Sequence, residues 1–422
     1  MKAPRQDERK THDDLMLRMS GLVRIVVAIG FLAAAAWLVA PAIGVARTAV
    51  AYWSLALFVG SIGAAVFVPI QIANTDLSRA VTLATRGRHD DAIAAYDALI
   101  NRYGQSSSAH LRCLVASAMV GRGAAFAATG RPSEAIASYE EIIERFDDDD
   151  QPAIREQVAR AQLYRAHNLR LDRPDEAVAA YSAVARRHAN ATEQVLRLLA
   201  ATALVNEGAT LCDSGKWEEA IGVEDAVVAR FGKSGDPAID RQVAMAMFNK
   251  GLALGLLGRR EEEALAYARL VALFGSSTSD PLQLVLAEAL VNEGSVYAEL
   301  GRHAEALVAL DDFIRRFAGL TAPEFREGLA MGYLNRGIAL AGVGRLQESL
   351  ASFDHVIDLP VNGGAPASID AFAKATSEKC IVLRRLGRVD EAEAIYRNLL
   401  DRYGDDIAPQ LLARLNREIR AQ

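Results

Sequence analysis

The stretch ALVNEGSVYAELGRHAEALVAL, Ala289 to Leu310, decides how this chain is read. Its first six letters also stand at Ala203 to Gly208, 86 residues earlier. Its Gly-Arg step at Gly301, or a relative of it, recurs at Gly87, Gly130, Asp172, Gly215, Gly258, Gly344 and Gly387. Successive turns are 43 residues apart, with one interval of 42. The two copies of ALVNEG are therefore one position seen two periods apart. A fixed period of this size marks an array of supersecondary units, each burying its apolar face on its neighbours.

Each unit has the same internal layout. Five residues after the turn stands a small residue: Ala92, Ala135, Ala177, Ala220, Ala306, Ser349 or Ala392. Nine after it stands a large apolar one: Tyr96, Tyr139, Tyr181, Tyr267, Leu310, Phe353 or Tyr396. Sixteen after it an aromatic closes the segment at Tyr103, Phe146, Phe231, Phe274, Phe317 and Tyr403. Steps of four and seven put these on one helical face. Seven before the turn come Gly123, Gly208, Gly251, Gly294 and Gly337, which implies that a neighbouring helix approaches closely there. Loops such as GKSGDPAID and GSSTSDPLQ supply Gly at helix ends and Asp or Pro at helix starts. The pattern predicts two antiparallel helices per unit, the first of about 17–20 residues and the second of about 15.

This layout resembles the tetratricopeptide repeat. Gly294, Tyr297, Gly301, Ala306 and Leu310 stand in the order in which that family places its helix Gly, aromatic, turn Gly, Ala and large apolar residue. The resemblance covers residues 74–422, some eight units, and implies an all-α solenoid of helix hairpins. The departure is length, since the family period is about 34 residues. Glu263 stands where unit five should carry Ala, and unit seven breaks at LPVNGGAPAS, with Pro360 at the closing aromatic.

The chain before the array is different. Residues 25–46 carry no charge, Arg47 interrupts, and residues 48–75 are uncharged again. Each run exceeds the roughly 20 residues that cross a bilayer core. The expectation is a cytoplasmic tail over 1–24 and a transmembrane hairpin over 25–73, with spans at about 25–46 and 48–73. Lys2, Arg5, Arg9, Lys10, Arg18 and Arg24 precede the first span, and Arg79, Arg86 and Arg88 follow the second, so both termini are expected on the cytoplasmic side of the inner or plasma membrane. A cleaved signal peptide ending near Ala46 leaves the body on the same side. Gly60 and Ala64 form a small-xxx-small pair through which the spans could self-associate.

Composition narrows the functions. Residues 1–73 are net basic and the body is net acidic within an overall charge of −6, which argues against nucleic acid as the partner of the body. Cys113, Cys212 and Cys380 have neither metal spacing nor an obvious pairing and read as structural thiols. No phosphate-binding glycine loop, HExxH, nucleophile elbow or calcium loop is present. His89 and His303 share one turn-side position and read as exposed helix-start residues, and the run Asp147 to Asp150 reads as a solvated loop. No enzyme, metal or cofactor is expected.

One periodic feature is not required by packing. Asn206, Asn249, Asn292 and Asn335 recur every 43 residues, two before the repeat glycine. Asn is an ordinary-to-poor helix-interior residue. In tetratricopeptide arrays this position faces the concave groove, where Asn side chains bond an extended peptide backbone. The resemblance thus implies a peptide-binding ladder at these four residues, with Glu207, Lys250, Glu293 and Arg336 beside them at the rim. The expected function is a membrane-anchored scaffold holding a protein or peptide partner at the cytoplasmic membrane face. Two alternatives are a recognition or regulatory subunit of a separately encoded membrane enzyme and an extracytoplasmic assembly factor.

Overall fold

The computed structural model describes residues 67–403 apart from 233, 278–279, 320–322 and 360–365. The expected tail, the first span and the second span as far as residue 66 lie outside the described residues, as do 404–422 of the array. Among the described residues there are sixteen helices and no strand. The expected boundary at 73/74 falls inside one continuous helix, α1 (67–85).

The chain divides into two compact units at Asp172. The first holds α1, α2 (His89–Tyr103), α3 (Ala109–Ala128), α4 (Pro132–Phe146) and α5 (Pro152–Leu169). Its core joins Tyr96, Leu99, Val115, Met119, Tyr139, Ile142 and Ile154. The second holds α6 (Pro174–His188), α7 (Gln194–Asp213), α8 (Trp217–Phe231), α9 (Pro237–Leu256), α10 (Arg260–Phe274), α11 (Asp280–Glu299), α12 (His303–Phe317), α13 (Pro323–Gly342), α14 (Leu346–Ile357), α15 (Pro366–Arg385) and α16 (Val389–Tyr403). Odd-numbered helices are the longer first members of each pair. The even ones have 15 residues, except α14, which stops at 12 just before the stretch marked by Pro360.

The recurring Gly-Arg step has a conformational cause. All seven turn glycines adopt φ between 70° and 81°, the left-handed region that a side chain disfavours. The residue after each donates its N–H five residues back, as Arg302 does to the Tyr297 carbonyl at 2.8 Å, closing a Schellman motif. The turn at Asp172 has no positive-φ residue, which accompanies its 42-residue interval. The Arg then pairs with an acid three residues on: Arg259 with Glu262 at 2.6 Å, Arg345 with Glu348 at 2.5 Å, and Arg388 with Glu391 at 2.6 Å. At the start of α9, Asp236 accepts from the N–H groups of Ala238 and Ile239.

The repeat glycines mark close helix crossings, as expected. A methyl group at Gly123, Gly251 or Gly337 would overlap the ring of Tyr139, Tyr267 or Phe353 on the second helix of the same pair. In the second unit each even helix packs between its own odd helix and the next odd one, while consecutive odd helices also touch: α7 with α9, α9 with α11, α11 with α13 and α13 with α15. The odd helices therefore form the closer-spaced layer. α3 and α7 are long and apolar enough to cross a membrane, yet both are packed in the array.

Two readings are corrected. His303 is not an exposed residue; it is half-buried, with its ring against Gly342 of α13, and His89 is half-buried too. The acidic run is not wholly solvated, because Asp149 accepts from Arg112 and from the Gln151 N–H and so fastens the loop to α3.

Candidate functional site

The odd helices of the second unit present one open stripe, and its register follows the 43-residue period. On α9 the stripe runs Arg241, Met245, Asn249, Leu252 and Leu256. On α11 it runs Leu284, Glu288, Asn292, Ser295 and Glu299, and on α13 Glu327, Met331, Asn335 and Ile338. Steps of three and four keep each set on one face. Leu252, Leu256 and Leu284 are exposed, so the stripe is partly apolar. Asn206, Asn249 and Asn292 are half-buried on it; Asn335 is only 7 % exposed, with an unpartnered amide nitrogen.

The same asparagines also look backward. Asn249 donates to Glu224 Oε1 at 3.3 Å, and Asn292 lies beside the Tyr267 phenol, which burial raises above its ordinary pKa and Asn292 draws down. Both neighbours stand nine after a turn, on the second helix of the preceding pair. The first-helix wall is therefore held from behind by the array itself.

Glu224 is the residue that sequence reasoning passed over. It occupies the position where other units carry Tyr, Leu or Phe. It is 0 % exposed, its carboxyl abuts Gly208, and Oε2 has no partner. Burial raises its pKa well above the usual carboxylate range, with Asn249 opposing and Asp225 and Glu207 adding to the rise. The signal was present in the sequence as the one unit missing from the large-residue series.

The rim residues form ties rather than a free edge. Arg122 reaches Asp97 at 3.0 Å and Arg165 reaches Glu140 at 2.8 Å in the first unit. Lys250 reaches Asp225 at 2.6 Å, Arg336 reaches Asp311 at 2.6 Å, and Lys379 reaches Asp354 in the second. Each partner lies 25 residues earlier, on the preceding even helix. Glu207 keeps the spacing but accepts from Ser182 at 2.5 Å. Glu293 breaks the series, because the residue 25 before it is Ala268. Burial without compensation pushes Glu293 up to about 7.

Among the described residues no group of three or more His, Cys, Asp or Glu is placed to hold a metal. Cys113, Cys212 and Cys380 are free thiols. The open wall offers amides, apolar side chains and carboxylates, a composition suited to recognising a chain rather than transforming one.

Comparison with known proteins agrees with this geometry. The family description of the tetratricopeptide repeat matches residues 77–150 and 167–237, and a second description of that repeat matches 288–319. The chain carries tetratricopeptide repeats. No curated protein matches it. An engineered protein of known structure is 16 % identical at a TM-score of 0.45, with 78 % of this chain and 79 % of that one covered. Apo RapI is 13 % identical at 0.43, over 73 % of this chain and 99 % of its own. A tetratricopeptide repeat protein from Parabacteroides merdae is 12 % identical at 0.39, over 72 % and 99 %. All three scores lie below 0.5, and the function of this chain is drawn from none of them.

Proposed function

We propose that this protein is a membrane-anchored scaffold that holds a peptide or protein partner on the first-helix wall of its repeats at the cytoplasmic membrane face. The observation that carries the binding half is the stripe itself: Asn206, Asn249 and Asn292 recur at one register, half-exposed, with exposed Leu252, Leu256 and Leu284 between and beside them. Packing the odd helices more closely than the even ones makes a long continuous wall, which is how repeat arrays recognise extended partners. A primary amide donates to a carbonyl and accepts from an N–H, so a row of them suits a peptide backbone of any side-chain sequence. The anchoring half is supported by the uncharged runs at 25–46 and 48–73 and by the Lys and Arg that flank them.

Two experiments test the halves separately. Asn249→Ala and Asn292→Ala should each weaken partner capture several-fold while changing unfolding free energy by less than about 1 kcal/mol, because each leaves one neighbour short of a half-exposed hydrogen bond. If both variants destabilise the fold by more than about 2 kcal/mol and affect capture only in proportion, the row serves the array and not a ligand. For the address, alkaline phosphatase fused after Gln422 should be inactive in a bacterial host. An active fusion places the body outside the cytoplasm and removes that half.

A further inference from the structure

The open wall carries one electrostatic anomaly, and it is confined to α11. This helix contains Asp280, Glu288, Glu293 and Glu299 and no basic residue. Glu299 is paired with Arg260 at 3.2 Å. Glu288 and Glu293 have no ion pair or hydrogen bond among the described residues, and both carboxyls are raised by burial with no opposing cation. Elsewhere in the second unit, position 293 of the register is a cation tied to an acid, as at Lys250, Arg336 and Lys379. Glu288 shares its register with Met245 on α9 and Met331 on α13, so a carboxylate interrupts a row of thioethers. Next to it in the row, Asn335 keeps a buried amide nitrogen with no acceptor.

Two half-buried carboxyls without counter-charge cost free energy in the empty protein, because neither is fully hydrated nor paired. A cation brought by a ligand removes that cost, and charge-assisted hydrogen bonds to carboxylates are the stronger kind. The neighbouring thioethers and leucines then require apolar groups on either side of that cation. The backbone carbonyls of the ligand supply the acceptor that Asn335 lacks.

We propose that α11 selects the partner: the bound segment places a Lys or Arg against Glu288 and Glu293, with apolar side chains flanking it on Met245, Leu252, Leu284 and Met331. This deepens the groove reading and rests on it. The wall is thus acidic and apolar at its centre, and it discriminates against acidic peptides by leaving two carboxylates facing them.

The test uses the full-length chain in detergent at physiological salt and two fluorescein-labelled 15-residue peptides. One repeats Leu-Arg-Leu-Ser; the other has every Arg replaced by Gln. Fluorescence anisotropy should show the Arg peptide binding at least about tenfold tighter, the size of one net charge-assisted contact of about 1.4 kcal/mol. Glu288→Gln with Glu293→Gln should erase that preference. The control pair Glu219→Gln and Glu261→Gln lies exposed on α8 and α10, makes the same change in charge, and should alter affinity less than about threefold. Equal affinity for the two peptides overturns the selection by α11 while leaving the groove reading intact. Equal loss in the control pair overturns it as general attraction to an acidic protein. Failure of both peptides to bind overturns the groove reading along with it.

Discussion

Glu224 shows how much one side chain can change a repeat. The same position holds Tyr139, Tyr181, Tyr267 or Phe353 in other pairs, where a ring fills the space left by a helix glycine. Glu224 fills it with a carboxyl that has one donor, Asn249, and no cation. Its folded pKa is raised, so it is neutral in both states below the ordinary carboxylate range, and no penalty arises there. As pH rises past about 4.5 the unfolded chain ionises and the folded one does not, so stability falls until the folded pKa is reached. Glu293, pushed up to about 7, adds a loss of the same sign between about pH 4.5 and 7. Thermal unfolding followed by circular dichroism should therefore give a higher Tm at pH 5 than at pH 8. Glu224→Gln should flatten the dependence. Glu224→Tyr, the array's own residue, should raise stability at pH 8 by about 1–3 kcal/mol, since it replaces an unsatisfied buried group with a packed ring. A Tm that rises with pH in the parent protein would refute this reading.

At the scale of the element, much was legible before any coordinate. The 43-residue period, the helix pairs and the close crossings at Gly123, Gly251 and Gly337 all follow from spacing, because helix geometry converts sequence intervals directly into faces. The location of the Asn row on the open stripe was also legible. The ties from Lys250 to Asp225 and from Arg336 to Asp311 were not, since a 25-residue offset between two helices of different pairs depends on how the pairs stack. The half-burial of His303 depends on Gly342 of the next pair and was hidden for the same reason. The turns themselves allow a sharp contrast. Gly258 sits at φ 72°, so Gly258→Ala should cost about 1–2 kcal/mol. Asp172 is exposed in a turn with no positive-φ residue, so Asp172→Ala should change stability by less than about 0.5 kcal/mol. Urea unfolding of the two variants measures both. Equal costs would mean that the turn glycines are not conformationally required.

For the whole molecule, the repeat architecture explains why the sequence repeats phrases but not partners. Odd helices supply a wall of constant register, and substitutions on it, such as Glu288 in a methionine row, write specificity without disturbing the even helices behind. The claim that the odd-helix wall of the second unit is the binding surface can be tested in the native membrane. A photo-crosslinking amino acid placed at Leu252 or Ile338 reports on that wall, and one at Leu265 or Val308 reports on the exposed face of the even helices, where these residues are 54 % and 74 % exposed. Irradiation of intact cells should give the same discrete protein adduct from positions 252 and 338 and none from 265 and 308. Adducts of equal yield from the even helices, or an adduct from them alone, would contradict the account.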